Sequence, residues 1–311
     1  MLSRAADHLY WLARYLERAE TIARMLEAEQ QLALLPRPAE IAVRSRRATL
    51  VALGAHEAYD AWSPNGAADV LEFLAFDREY SDSIVSCISR ARENARAVRG
   101  AVASETWETI NATWLEMRQL ERRKGPERTR LLFDHVRQRA HMIRGVTVVA
   151  MLRDEAFHFL RLGSFLERAD GTVRLLDARS SSTAAEPLGG DDPHEWTVLL
   201  RTLSAFEAYR RLFRDSVKPQ RVAEMFLLRP DVPRSLRRCL IEMRENLRMV
   251  ATEQSAQTVR IVGALQAQLE FGEAAELTPE KLPAYLSDKI EQLRRIGHGI
   301  AQDFLVSDAV A

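Results

Sequence analysis

Four charged residues near the start of the chain could do chemistry together. At about 100° per residue on a helix, Glu17, Glu20, Arg24 and Glu27 fall on one stripe, and Glu167, Asp170, Arg174 and Asp177 repeat the pattern 150 residues later. Acid and base side by side could hold a zwitterion or a peptide terminus, with Arg receiving a carboxylate and Glu an amine. The same carboxylates could serve as acid–base groups if their pKa values were shifted inside a concave site. The plainer reading is an ion-pair seam between helices. Glu20 and Arg24 already stand i,i+4 with the acid first, the favourable order for a pair within one helix. Arg18 and Arg168 point to another part of the wheel, where Arg18 could snorkel along the surface of Trp11, Ile22 and Met25 or pair with an acid from a different helix. Glu93 and Glu245 are the candidates. They belong to a repeated tripeptide, Arg92-Glu93-Asn94 and Arg244-Glu245-Asn246, which could bind a ligand or simply orient helices. The candidate binding set is therefore Glu17, Arg18, Glu20, Arg24, Glu167, Arg168, Asp170 and Arg174, together with the two Arg-Glu-Asn runs.

Other chemistries find less support. A carboxylate-bridged di-metal site needs Glu-x-x-His on two helices plus two further Glu. Glu155 and His158 supply one such motif, but Ala5 and His8 occupy the equivalent places, so no metal site is expected. No nucleophile elbow, phosphate-cradling glycine loop or dinucleotide fingerprint is present. No cofactor is expected, and no residue is assigned as catalytic. Cys87 and Cys239 sit on matched, partly apolar faces that favour packing. His8 and His158 also match, as core or capping residues.

Composition narrows the partners. Formal net charge is zero, from 44 basic and 44 acidic residues, which removes the electrostatic case for nucleic acid. The stretch 121–144 is locally basic, but without interleaved aromatics it reads as a solvated helical face. Only Lys124, Lys218, Lys281 and Lys289 are lysines, and the abundant arginines suit bidentate pairs with carboxylates. Two distant cysteines make no disulfide framework and fit a reducing compartment. The charged N-terminus lacks the apolar core of a signal peptide, and no apolar run reaches the length of a membrane span. The expectation is a soluble cytoplasmic protein.

These residues are positioned by helices. Leu9, Leu12, Leu16, Ala19, Ala23 and Leu26 recur at helical spacing, as do Ile84, Ile88, Ala91, Ala95 and Val98, with Gly100 as a stop. Gly125-Pro126 separates two helices. Asp192-Pro193-His194-Glu195 and Thr278-Pro279 read as helix starts. Gly145 with the β-branched run Val146–Val149 suggests a break or kink, and 179–192 suggests a flexible loop. Residues 6–28 and 156–178 share ten of twenty-three positions, including Leu-Glu-Arg-Ala. Leu53, Ala55, Glu57, Ala58 and Tyr59 meet Leu203, Ala205, Glu207, Ala208 and Tyr209 at the same offset. Val70, Ser83 and Cys87 then meet Val222, Ser235 and Cys239 at an offset of 152. The expected fold is all-α: two tandem helical bundle repeats, 1–150 and 151–311, related by a pseudo-two-fold axis and packed as one unit.

The segments YLERAE, ARENARAVRGAVASETWETIN and MLRDEAFHFLRLGSFLERAD resemble the bacterial alpha-E family of all-helical proteins named for a Glu-Arg motif. The resemblance spans essentially the whole chain and sets that motif on Glu17-Arg18 and Glu167-Arg168. One departure is Phe76-Asp77-Arg78-Glu79-Tyr80-Ser81, where an Asn-Pro-type turn would be expected. By resemblance, members are encoded beside or fused to circularly permuted ATP-grasp proteins, with transglutaminase-like proteins nearby. That implies a helical accessory or binding subunit of a peptide or amide ligation system. The rival readings are an enzyme working on an amide, aminoacyl or peptide substrate through the Glu/Arg stripe, and a carboxylate-bridged metal protein.

Overall fold

The amphipathic periodicity is realised as helix throughout the computed structural model, which describes residues 1–34, 39–66, 69–125, 127–184 and 193–305. Fourteen α-helices and one 3-10 turn are present among the described residues, and no strand. They are α1 (Ser3–Ala33), α2 (Ala39–Ala52), α3 (His56–Trp62), α4 (Val70–Phe76), α5 (Ile84–Ala97), α6 (Ser104–Glu121) and α7 (Glu127–Ala150), then α8 (Glu155–Ala184), α9 (Pro193–Thr202), α10 (Phe206–Phe213), α11 (Pro219–Leu228), α12 (Leu236–Val250), α13 (Ala256–Glu270) and α14 (Leu282–Phe304).

Local chemistry sets many of the boundaries. Ser83 caps α5 by accepting from the Ser86 N–H at 3.3 Å, and Ser235 caps α12 by accepting from Arg238 at 3.0 Å. Such caps satisfy N–H groups that the first turn leaves without partners. The departing segment at Phe76–Ser81 is closed by its own side chains: Asp77 Oδ1 accepts from the Glu79 N–H at 3.0 Å, and Ser83 Oγ donates to the Asp77 carbonyl. Three boundary expectations need correction. The run Val146–Val149 does not break the helix; α7 continues through it to Ala150. β-Branched residues cost only tenths of a kcal/mol each in a helix, and Thr147 returns a hydrogen bond to the Ile143 carbonyl at 2.7 Å. Thr278-Pro279 starts a turn, not a helix: the Thr278 carbonyl accepts from Lys281 and Leu282 at 3.0 and 2.9 Å, and α14 begins at Leu282 with Pro283 in its first turn. The expected loop at 179–192 is helical as far as Ala184. Residues 185–192, including the expected Asp192 cap, lie outside the described residues, as does Pro126.

The centre of the molecule is the packing of α1 on α8. Contacts advance together along both: a Cβ built on Gly163 would meet the Tyr10 carbonyl oxygen at 2.2 Å and Ala13 Cβ at 3.2 Å, and one built on Gly171 would meet Thr21 Cγ2 at 3.2 Å. The two helices therefore run parallel, and Gly163 is where their backbones touch. α5 and α7 flank α1, while α12 and α14 flank α8. The second helices cross over: α2 packs on α8, and α9 packs on α1. Two apolar cores result. One holds Ala19, Ile22, Ala23 and Leu26 of α1 against α4, α5 and α7. The other holds Ala6, Leu9, Tyr10, Leu12 and Ala13 against most of α8–α14. Between them, along α1, lies a buried charged layer. No helix among the described residues is long and apolar enough to cross a membrane.

Candidate functional site

The layer is made by the middle turns of α1 and α8. Leu9, Leu12, Ala13 and Ala19 drive α1 into the interior, and Glu17 and Glu20 are carried in with them, 2% and 0% exposed. Charges at such depth persist only when paired and hydrogen-bonded. Arg168 supplies a fork to Glu17, Nε to Oε1 and Nη2 to Oε2, each 2.9 Å. Arg18 returns the same interaction to Glu167, with Nε 2.6 Å from Oε1 and Nη2 3.2 Å from Oε2. The two Glu-Arg dipeptides thus clasp one another across the helix pair, and each forms the nucleus of a cluster.

In the first cluster, Arg144 Nη1 lies 3.2 Å from Glu17 Oε2 and also bonds Glu20. Arg234 reaches Glu17 at 3.2 Å and Glu20 at 3.0 Å. Arg24 Nε donates to Glu20 Oε1 at 2.8 Å, as the i,i+4 spacing predicts, and its Nη1 donates to the Thr202 carbonyl and Ser204 Oγ at 3.2 and 2.9 Å. Ser204 holds φ 54°, a left-handed conformation unusual for serine. Four arginines thus surround two carboxylates. Burial alone would raise the pKa of Glu17, but Arg168, Arg234 and Arg144 outweigh it and hold the group well below the usual carboxylate range. Glu20 is held low as well, against burial and the neighbouring Glu17, by Arg234 and Arg144. Burial pulls the pKa of Arg234 below its ordinary value despite both carboxylates, helped by Arg168 and Arg24.

The second cluster differs in charge and in space. Glu167 takes Arg14 Nε at 2.7 Å in addition to Arg18, and Arg18 Nη1 lies 2.5 Å from Asp82. Arg174 bonds Asp170 at 2.8 Å. Three arginines face three carboxylates, so the charges balance. Burial would raise Glu167, but Arg14 and Arg18 hold it at about 2. A cavity of about 220 Å³ opens here, lined by Arg14, Arg18, Arg174, Asp82, Glu167 and Asp170, with Gly54 and Tyr80 on its wall. Burial, then Asp82, push Tyr80 up to about 12 against Arg18, so its phenol stays protonated. Where the first cluster has Ser204 and Arg234, the repeat alignment sets Gly54 and Asp82 in the second. These shorter residues fit the presence of space there.

Glu17, Arg18, Glu20, Arg24, Glu167, Arg168, Asp170 and Arg174 all belong to these two clusters, whereas Glu27 of the stripe lies apart, paired with Arg137 at 2.7 Å. The Arg-Glu-Asn runs do not join them. Arg92 bonds Asn111 Oδ1 and Glu93 at 2.8 and 2.6 Å and lies over the Trp114 ring, 4.2 Å from its centroid. Asn94 Oδ1 pairs with His8 Nδ1, and Asn246 Oδ1 with His158 Nδ1, each at 2.9 Å. Arg244 donates to Gln266 at 3.1 Å. Glu93 and Glu245 are exposed, so the expectation that they meet Arg18 and Arg168 is corrected: Glu167, Asp82 and Glu17 do so. The residues missed in the sequence are Arg14, Asp82, Arg144, Ser204 and Arg234. Only Asp82 and Arg234 carried any signal, as a charge-reversed pair one residue before the matched Ser83 and Ser235.

The remaining reactive side chains are committed elsewhere. Cys87 and Cys239 are buried free thiols; burial, against Arg168, pushes Cys239 up to about 12, and burial raises Cys87 likewise. Glu155 holds the amino group of Met1 at 2.5 Å, while His158 faces Asn246. No group of three or more metal-ligating side chains converges among the described residues.

The chain belongs to the Alpha-E family, described as a predicted alpha-helical domain with a conserved ER motif, whose model matches residues 1–305. It is similar to uncharacterised proteins of Mycobacterium bovis and Mycobacterium tuberculosis, at 25% identity over 299 residues. The match takes in 88% of this chain and 33% of each relative, so the chain spans about a third of their length. No solved structure matches.

Proposed function

We propose that the chain is a non-catalytic helical binding subunit of an ATP-grasp-linked system that makes peptide or amide bonds, and that it holds a small zwitterionic, peptide-like ligand. One observation carries this reading: the 220 Å³ cavity beside α1 and α8, walled by three arginines and three carboxylates. A ligand carboxylate would sit against Arg14 and Arg174, and its ammonium against Asp82 and Asp170. The volume suits an amino acid or the end of a peptide rather than a drug-sized molecule. Binding is favoured over catalysis because Glu167 is held at about 2 and Glu17 lower still, far from the range in which a carboxyl trades protons at neutral pH.

In this reading the helices form two repeats, 1–150 and 151–311, about a pseudo-two-fold axis between α1 and α8. The reciprocal Glu-Arg clasps, the twin His–Asn pairs and the twin serine caps support it. The ligase partner is inferred from the family resemblance, with a transglutaminase-like protein as a further member of the system. In the mycobacterial relatives the matching region is accompanied by about twice its own length of further chain, which fits a unit that works beside others. A docking face is offered by Met142, Val148 and Val149 on α7 and by Leu152 beyond it, exposed by 49%, 41%, 86% and 79%. Buried free thiols suit the reducing cytoplasm.

The test is co-purification with the ATP-grasp protein expected beside it, followed by ATP hydrolysis and product mass with and without this chain. A stable complex whose ligation needs this chain, and which Val149→Glu with Leu152→Glu disrupts, is the expected result. Absence of both complex and effect would overturn the proposal.

A further inference from the structure

The two clusters carry different net charge, although they are built on equivalent turns. The second balances three arginines with three carboxylates. The first gathers Arg24, Arg144, Arg168 and Arg234 on Glu17 and Glu20 alone, a surplus of two positive charges. Nearby acids do not offset it. Glu27 and Asp134 both hold Arg137, and Glu242 holds Arg161 and Arg238. His141, 3.7 Å from Glu20, adds no charge at neutral pH, because burial and the surrounding arginines lower its pKa despite Glu20. Arg234 and Arg168 are each only 12% exposed, so solvent screening of the surplus is weak. An uncompensated buried charge of this size calls for an anion.

There is also a place to put one. A small cavity of about 50 Å³ lies between α1, α6, α7 and α8, with Glu17, Arg144 and Arg168 on its polar side beside Ser164 and Thr147, and Leu12 among its apolar walls. That is room for several water-sized groups. Arg144 spends only Nη1 on Glu17 and Glu20, and Arg168 spends Nε and Nη2 on Glu17. Arg144 Nε and Nη2 and Arg168 Nη1 have no partner among the described residues. Arg144, at 29% exposed, is the most open of the four arginines.

We propose that this cavity is a binding site for a small oxyanion of the phosphate class, held by Arg144 and Arg168 with Ser164 as a hydroxyl donor. A dianion matches the surplus of two, and guanidinium forks match its oxygens.

The test uses the full chain and inorganic phosphate at constant ionic strength, read by titration calorimetry and by thermal unfolding. Saturable binding with a rise in Tm is expected. Arg144→Gln should weaken it by about tenfold or more, whereas Arg47→Gln, in the exposed pair with Asp60, should leave it unchanged. If Arg144→Gln fails to fold, Arg144→Lys, which keeps the charge and loses the fork, should still weaken binding. Acetate should bind more weakly than phosphate. Absence of a saturable response in the unaltered chain, equal affinity in a folded Arg144 variant, or acetate binding as tightly as phosphate would each overturn the assignment. None of these readouts involves a ligase partner, so this site stands or falls independently of the function proposed above.

Discussion

Glu17 meets three guanidiniums at its two oxygens, so removing its charge leaves Arg144, Arg168 and Arg234 facing one carboxylate. Glu17→Gln should cost about 3–5 kcal/mol, read as a lower urea midpoint at unchanged slope. A cost within the range of exposed pairs, about 0–1 kcal/mol, would mean that the layer is more hydrated than its burial indicates. Acid should act in the same place. Glu167 falls from an ordinary 4.5 to about 2 on folding, so the unfolded chain binds the proton more readily. The stabilisation is complete above about pH 4.5 and is lost as pH falls toward 2. Stability measured across that window should drop, and Glu167→Gln should flatten the drop while lowering stability at neutral pH. At this scale the sequence showed the Glu20–Arg24 pair through its spacing alone. It could not show Arg144 or Arg234, because their contacts with Glu17 span more than a hundred residues and leave no local pattern.

The helices were readable as helices from apolar spacing, and their junctions less so. Pro279 sits in a turn three residues before α14 begins at Leu282, since a proline fits a turn as well as a first helical position. Val146–Val149 stays helical because the burial of Ile143, Ala140 and Val136 along α7 outweighs weak local preference. Which helices touch was hidden as well: nothing in Gly163 announces that Tyr10 lies against it. Two glycine substitutions separate these cases. Gly163→Ala would drive a methyl into the Tyr10 carbonyl and should destabilise by about 1–3 kcal/mol or more, seen as a fall in Tm. Gly145→Ala, on an exposed turn of α7 with open space around it, should raise stability by up to about 1 kcal/mol. If both substitutions were neutral, the close parallel contact of α1 and α8 would be wrong.

For the whole molecule, the all-helical class and the matched sequence blocks were legible, but the crossing of second helices was not, since matched blocks say nothing about which helices pack against each other. With α1 on α8, α2 on α8 and α9 on α1, each half in isolation loses the partner of its long first helix and of its second helix. Residues 1–150 expressed alone should lack a cooperative unfolding transition, and mixing with 151–311 should restore one by circular dichroism. A stably folded first half would contradict the crossed packing. The same crossing has a consequence for how the protein is made. Glu17 leaves the ribosome some 150 residues ahead of Arg168 and more than 200 ahead of Arg234. At roughly 5–20 residues per second, α1 waits on the order of ten seconds or more for the partners that neutralise it. Until they arrive, the cost of burying unpaired carboxylates should keep the middle of α1 hydrated. Assembly of the centre is thereby deferred until most of the chain has been translated.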